Sequence, residues 1–106
     1  MSEGSMAKII VLFNLKPGTS VADYEAFARE SDLPIVNALP SVDRFEVLKA
    51  EGLLSGAPSP YQYIEIIDVN NLEQLGKDVS TEAMQKIAAT FRSMAEEPLF
   101  IITKNL

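Results

Sequence analysis

The side chains of this sequence that could act on a bound molecule are Asp32, Asn14, Tyr24, Arg44, Tyr63 and Glu65, and neither histidine nor cysteine is among them because the chain contains none. Without histidine there is no ordinary base near neutral pH and no common transition-metal ligand. Without cysteine there is no disulfide, thiolate nucleophile or thiolate metal site. Acid–base work therefore falls to carboxyl, phenol or amine groups, or to the ligand itself. Asp32 is the candidate catalytic residue, a carboxylate able to take an N–H or phenolic proton once burial lifts its pKa. It lies two residues before Pro34 in RESDLPIVNALPSVDRFEV, Arg29 to Val47. Asp is also a good N-cap for a turn that Pro34 begins.

The remaining candidates are ligand-binding groups. Asn14 ends an apolar strand and could orient a ligand from the sheet floor or cap the turn at Lys16 to Gly18. Arg44, Glu46 and Glu65 fall on strands of one sheet, where an arginine–carboxylate pair can serve a ligand or simply bridge neighbouring strands. Tyr24, Tyr61 and Tyr63 offer flat apolar rings with a hydroxyl, which suits an aromatic or pyrrolic molecule. No acidic cluster or HExxH-type motif points to a metal, and the scattered glycines form no phosphate loop, so no metal and no cofactor are expected.

The 106 residues suffice for one domain, and 47% of them are apolar with 23% charged, a folded composition. A net charge of -6 and the lack of a basic cluster argue against nucleic acid and anionic membrane surfaces as partners. No run is long enough to span a membrane, and no signal-peptide pattern is present, so the cytoplasm is the expected location. Residues 1–5 read as a disordered leader, and residues 6–106 as the domain.

Along the chain, Lys8 to Leu15 is a β-branched and aromatic strand ending at Lys16-Pro17-Gly18. A helix follows Thr19 or Ser20, with Val21, Tyr24, Phe27, Ala28 and Ser31 on its buried stripe. Pro34 should break or kink it near Asp32, leaving a short helical piece from Ile35 to Leu39. Val42 to Ala50 and Tyr61 to Val69 are strands whose two faces both mix polar and apolar residues. The loop between them, Glu51 to Pro60, carries Leu53 and Leu54, which either fold back on the core or form a lid or dimer arm. A short helix from Leu72 to Lys77 and a longer one from Thr81 to Ala95, capped by Asp78 or Ser80, precede a last strand, Leu99 to Leu106.

The order βαββαβ is the ferredoxin-like plan, an α+β sandwich with a four-stranded antiparallel sheet and helices on one face. The sheet's other face is too apolar to meet water, and a second copy packed against it would make a homodimer of barrel form. Lys8 to Val47, with its strand, KPG turn and DLPIVNALPSVDRFEV segment, resembles the dimeric α/β-barrel superfamily, which includes EthD-like proteins. With YQYIEIIDVNNLEQL added, the chain from Met6 is similar to the REDY-like (HapK) family associated with prodiginine pigment biosynthesis. That resemblance implies a cofactor-free homodimer binding a small aromatic pyrrole intermediate between sheet and helices. Conversion by an oxygenase, isomerase or cyclase step and non-catalytic carriage to a partner enzyme both remain open. EthD-like relatives often carry histidine where this chain has Asp32, so a mechanism does not transfer directly.

Overall fold

The computed structural model describes residues 6–106, so the leader expected at 1–5 lies outside the described residues. Strand β1 (Ala7–Leu15) leads into α1 (Val21–Phe27), a π-helical turn (Ala28–Asp32) and α2 (Leu33–Asn37). Strands β2 (Val42–Lys49) and β3 (Tyr63–Val69), helices α3 (Leu72–Asp78) and α4 (Glu82–Met94), and strand β4 (Ala95–Thr103) complete the chain. The sheet is antiparallel with order β2-β3-β1-β4. This is the expected ferredoxin-like sandwich, with an open sheet.

Period-two alternation decides which residues meet the helices. Val11, Phe13, Leu15, Tyr63, Glu65 and Phe45 are buried beneath them, while Ile10, Leu12, Ile64, Ile66, Arg44 and Glu46 alternate onto the opposite face. The register that the sequence left open is fixed by Val11 pairing with Glu65, and Glu65 with Val47. Phe13 anchors the core: its ring stacks on Tyr63 at 5.5 Å and meets Tyr24 and Phe91 edge-on at 5.5 and 4.9 Å.

Several local expectations are corrected. The first helix does not break at Pro34. Asp32 and Leu33 keep helical dihedrals, and the Leu33 N–H reaches back five residues to the Ala28 carbonyl. One extra residue in that wide turn relieves the clash a proline ring makes with the preceding turn, so the helix continues. Val21 is exposed, and Asp32 takes a place on the buried stripe. Strand β4 starts at Ala95, directly after α4, because Glu96 and Ala95 pair with Asn14 and Leu15 across a bulge. The leucines of the β2–β3 loop do not fold back: Leu54 is fully exposed and Leu53 half exposed.

Thr81, rather than Asp78 or Ser80, caps α4 by accepting the Met84 N–H at 3.3 Å. Asp78 instead accepts the Ser41 N–H at 3.0 Å and the Gln74 amide at 2.7 Å, tying α3 to the start of β2. Those two donors, Ser41 first, hold its carboxyl below the usual range. Thr81→Ala should cost about 1 kcal/mol of stability in urea titration, the ordinary price of a lost N-cap.

Candidate functional site

Between α2, α3, α4 and the sheet lies an apolar cavity of about 230 Å³, walled by Val36, Leu39, Leu75, Met84, Ile87 and Phe91 over a floor of Ile9, Phe45 and Ile67. Asp32 and Glu65 are its acidic lining residues. The π turn delivers the first: it puts Asp32 on the inward stripe, 5% exposed. Strand alternation delivers the second, since Glu65 shares the helix-covered face with Tyr63 and Ile67 and is 4% exposed in mid-sheet. Asp32 is no cap. Its backbone is helical, and its side chain makes no capping bond.

Burial sets the electrostatics. Removal from water pushes the Asp32 carboxyl up to about 6. Glu65 is pushed up to about 8, first by burial and then by the neighbouring Asp32 charge, while the Tyr24 hydroxyl pulls it back down. That hydroxyl donates to Glu65 Oε2 at 3.4 Å, a long and therefore weak bond. Burial, followed by the Glu65 and Asp32 charges, drives the Tyr24 phenol far above its ordinary value, so it stays a donor. Asp32 is therefore the stronger acid of the two, and Glu65 the group that keeps its proton longer as pH rises. An acceptor and a donor thus face one apolar space, an arrangement suited to moving a proton on a bound ring.

Other predicted site residues stand elsewhere. The Asn14 amide donates to the Pro60 carbonyl at 3.0 Å and accepts the Gln62 N–H at 2.9 Å, pinning the end of the β2–β3 loop rather than the Lys16 to Gly18 turn. Arg44 points outward and pairs with Glu46 at 2.9 Å along its own strand, with no reach to Glu65 on the opposite face. Tyr63 is buried, but its hydroxyl donates to Glu25 Oε2 at 2.7 Å, and Lys49 holds the same oxygen at 2.8 Å. Lys49 and then Tyr63 keep the Glu25 carboxyl low, whereas burial and Glu25 raise the Tyr63 phenol. Tyr63, Glu25 and Lys49 line a separate hollow of about 110 Å³ behind the Tyr24 ring. The apolar walls of the larger cavity, Phe91 and Met84 above all, belong to the helical stripe of α4, which reads in sequence as core whose methionines can also shape a ligand wall.

The model of the REDY-like protein HapK family matches residues 7–106. The chain belongs to that family. HapK from Hahella chejuensis is 27% identical, with a TM-score of 0.75 over 94% of this chain and 92% of that one. SnoaB from Streptomyces nogalater, a cofactor-independent oxygenase, is 10% identical with a TM-score of 0.75 over 94% and 92%. A dimeric ferredoxin-like protein from Thermobifida fusca is 16% identical with a TM-score of 0.75 over 97% and 93%. The last two likenesses concern the fold. No curated protein matches the sequence. Among the described residues, no helix is long and apolar enough to cross a membrane.

Proposed function

We propose that this protein binds a small planar aromatic molecule of the pyrrole type in the apolar cavity and moves a proton on it, as a cofactor-free homodimer in cytoplasmic secondary metabolism. The observation that carries the reading is the buried Asp32–Glu65 pair, two carboxyls in an apolar cavity with their pKa values pushed apart. Asp32 accepts the ring N–H or a phenolic proton, Glu65 returns one to a carbon or carbonyl, and Tyr24 positions Glu65. Membership of the HapK family supports a place in pigment biosynthesis, and a cofactor-free reaction is in keeping with the fold shared with SnoaB, a cofactor-independent oxygenase. The homodimer reading is supported by the apolar outer face of Ile10, Leu12, Ile64, Ile66, Leu99 and Ile101 and by the dimeric T. fusca relative.

Monopyrrole and bipyrrole precursors incubated with the purified protein, followed by mass spectrometry and calorimetry, test both steps. Asp32→Asn keeps the shape but removes the base, so conversion should fall by about 10²-fold or more while binding changes little. Absence of both binding and turnover in the unaltered protein would sink the reading. A carrier role, favoured by the lack of histidine and cysteine, predicts binding with conversion unaffected by Asp32→Asn.

A further inference from the structure

The two carboxyls of the cavity have no cation of their own. Among the described residues neither a basic group nor a hydrogen-bond donor meets the buried Asp32 side chain, and burial alone acts on it. Glu65, equally buried, has the Tyr24 hydroxyl and the Asp32 charge as its neighbours. Every other residue lining the cavity is apolar, those from α2, α3, α4 and the four strands included. The basic groups on the α1 side are engaged elsewhere: Arg29 and Lys49 both pair with Glu25, at 3.4 and 2.8 Å, in the hollow behind the Tyr24 ring. An ionised carboxyl here thus lacks the partner that buried charges ordinarily have.

A bound molecule can supply that partner. A metal ion fits poorly, since hard cations gather roughly six or more oxygen ligands and the remaining walls offer only carbon and sulfur. A small ammonium would leave a strongly hydrated point charge against those walls. A flat cation with its charge spread over ring and nitrogen loses less hydration, lies well against the Phe45 and Phe91 rings, and turns its N–H toward Asp32. Moving a proton on a pyrrole-type ring generates such an ion. Adding a proton to a ring carbon of the neutral pyrrole, or to the nitrogen of its 2H tautomer, gives the same delocalised pyrrolium.

We propose that the cavity is complementary to this cationic intermediate rather than to the neutral ring, with Asp32 as its counter-ion, so that carbon is protonated before nitrogen gives up its hydrogen. This rests on the cavity being the ligand site, as proposed above, and adds the charge of the species held most tightly and the order of the two transfers. The Glu65 O–H breaks and its proton forms a C–H bond, leaving a Glu65 carboxylate and a pyrrolium facing two negative groups. The pyrrolium N–H then breaks toward Asp32, leaving the neutral 2H tautomer and a protonated Asp32. Return of that proton from Asp32 to Glu65, the weaker acid, restores the pair. No electron is gained or lost and no co-reactant is consumed. The opposite order would create a ring anion in a cavity that already holds a carboxylate and no cation. Holding the charged species more tightly than the neutral ring is what speeds the step.

Benzamidine, benzamide and benzoate share one flat shape and carry a positive, zero and negative charge. Calorimetry on the full chain at pH 8 should show benzamidine binding about tenfold or more tighter than benzamide, and benzoate weaker than either. The preference should survive salt of about 0.5 M, which screens attraction to a surface of net charge -6 but not to a buried pair. Asp32→Asn should weaken benzamidine about tenfold or more while leaving benzamide and neutral monopyrroles little changed. In the unaltered protein benzamidine, charged throughout, should bind about tenfold or more tighter at pH 9 than at pH 5 as the carboxyls ionise, and benzamide should not, a readout that needs no variant to fold. Benzamidine no tighter than benzamide, a preference abolished by salt, or one untouched by Asp32→Asn overturns the cation site. Neutral pyrroles that are still bound and converted then leave the proposed function standing. Failure of the pyrroles and of all three probes to bind overturns both.

Discussion

Replacing Glu65 with glutamine is expected to make the protein more stable at neutral and alkaline pH by about 3 kcal/mol at pH 7, with no gain at pH 4. The carboxyl of Glu65 releases its proton near 4.5 when the chain is unfolded and at about 8 when buried beside Asp32. Between those values the native state binds a proton that the unfolded state has already given up, so stability falls as pH rises. Below the unfolded value both states are protonated and the burden vanishes; above the folded value it levels off. Glutamine carries no charge in either state and keeps an acceptor for the Tyr24 hydroxyl, so it escapes this slope. What remains in the variant is the smaller fall due to Asp32, from its ordinary value to about 6. Urea midpoints of both proteins from pH 4 to pH 9 measure the difference directly. A difference that does not vary with pH would mean that Glu65 is hydrated, and the acid–base assignment would go with it.

That instability has a functional meaning. A cavity floor occupied by leucine instead of Glu65 would be more stable and chemically inert, so a buried, poorly hydrogen-bonded carboxyl pair is the kind of cost that folds carry at working sites. Tyr24 alone does not explain the pair, because its bond to Glu65 is long and Asp32 gains no capping bond in return.

The strands, the helices and their order were legible because period-two and helical spacing are local properties of the chain. Thr19 or Ser20 as a start signal and Asn70 or Asn71 as another led to the observed caps Ser20 and Asn71. The site was less legible. Pro34 reads as a helix breaker by its chemistry, and a π turn that accommodates it leaves no mark on the sequence, so a capping role for Asp32 stood beside the catalytic one until the helical backbone removed it. Glu65 sat on a strand with Tyr61, Tyr63 and Ile67 on one face and Gln62, Ile64, Ile66 and Asp68 on the other. Only pairing with β1 and β2 decides between those faces, and a slip of one residue exchanges them. Arg44 was drawn towards Glu65 for the same reason: sharing a sheet is visible in sequence, sharing a face is not. Asn14 was correctly marked as a strand-end residue, but its partners lie in the loop before Tyr61, 46 and 48 residues away.

Phe13→Ala should remove about 3–5 kcal/mol, the range for emptying a fully buried aromatic site. Against a total of about 5–15 kcal/mol for a domain of this size, that is enough to leave a sizeable unfolded fraction. The reason is geometric. Phe13 is fully buried and is the ring that Tyr24, Tyr63 and Phe91 all contact, joining α1, β3 and α4 across β1. Its removal leaves three rings without a common neighbour, and the close packing of the helices on this face of the sheet limits how far they collapse. Phe13→Leu, which keeps most of the volume, should lose no more than about 1.5 kcal/mol. The two variants together separate packing from chemistry. Tyr24 holds Glu65 only while its ring is wedged between Phe13 and Tyr63, so any folded Phe13→Ala protein should show a weakened near-ultraviolet tyrosine signal and a shallower pH dependence than Phe13→Leu. A loss below 1 kcal/mol for Phe13→Ala would show that α1 and β3 are held without this ring, and that Tyr24 positions Glu65 by some other contact.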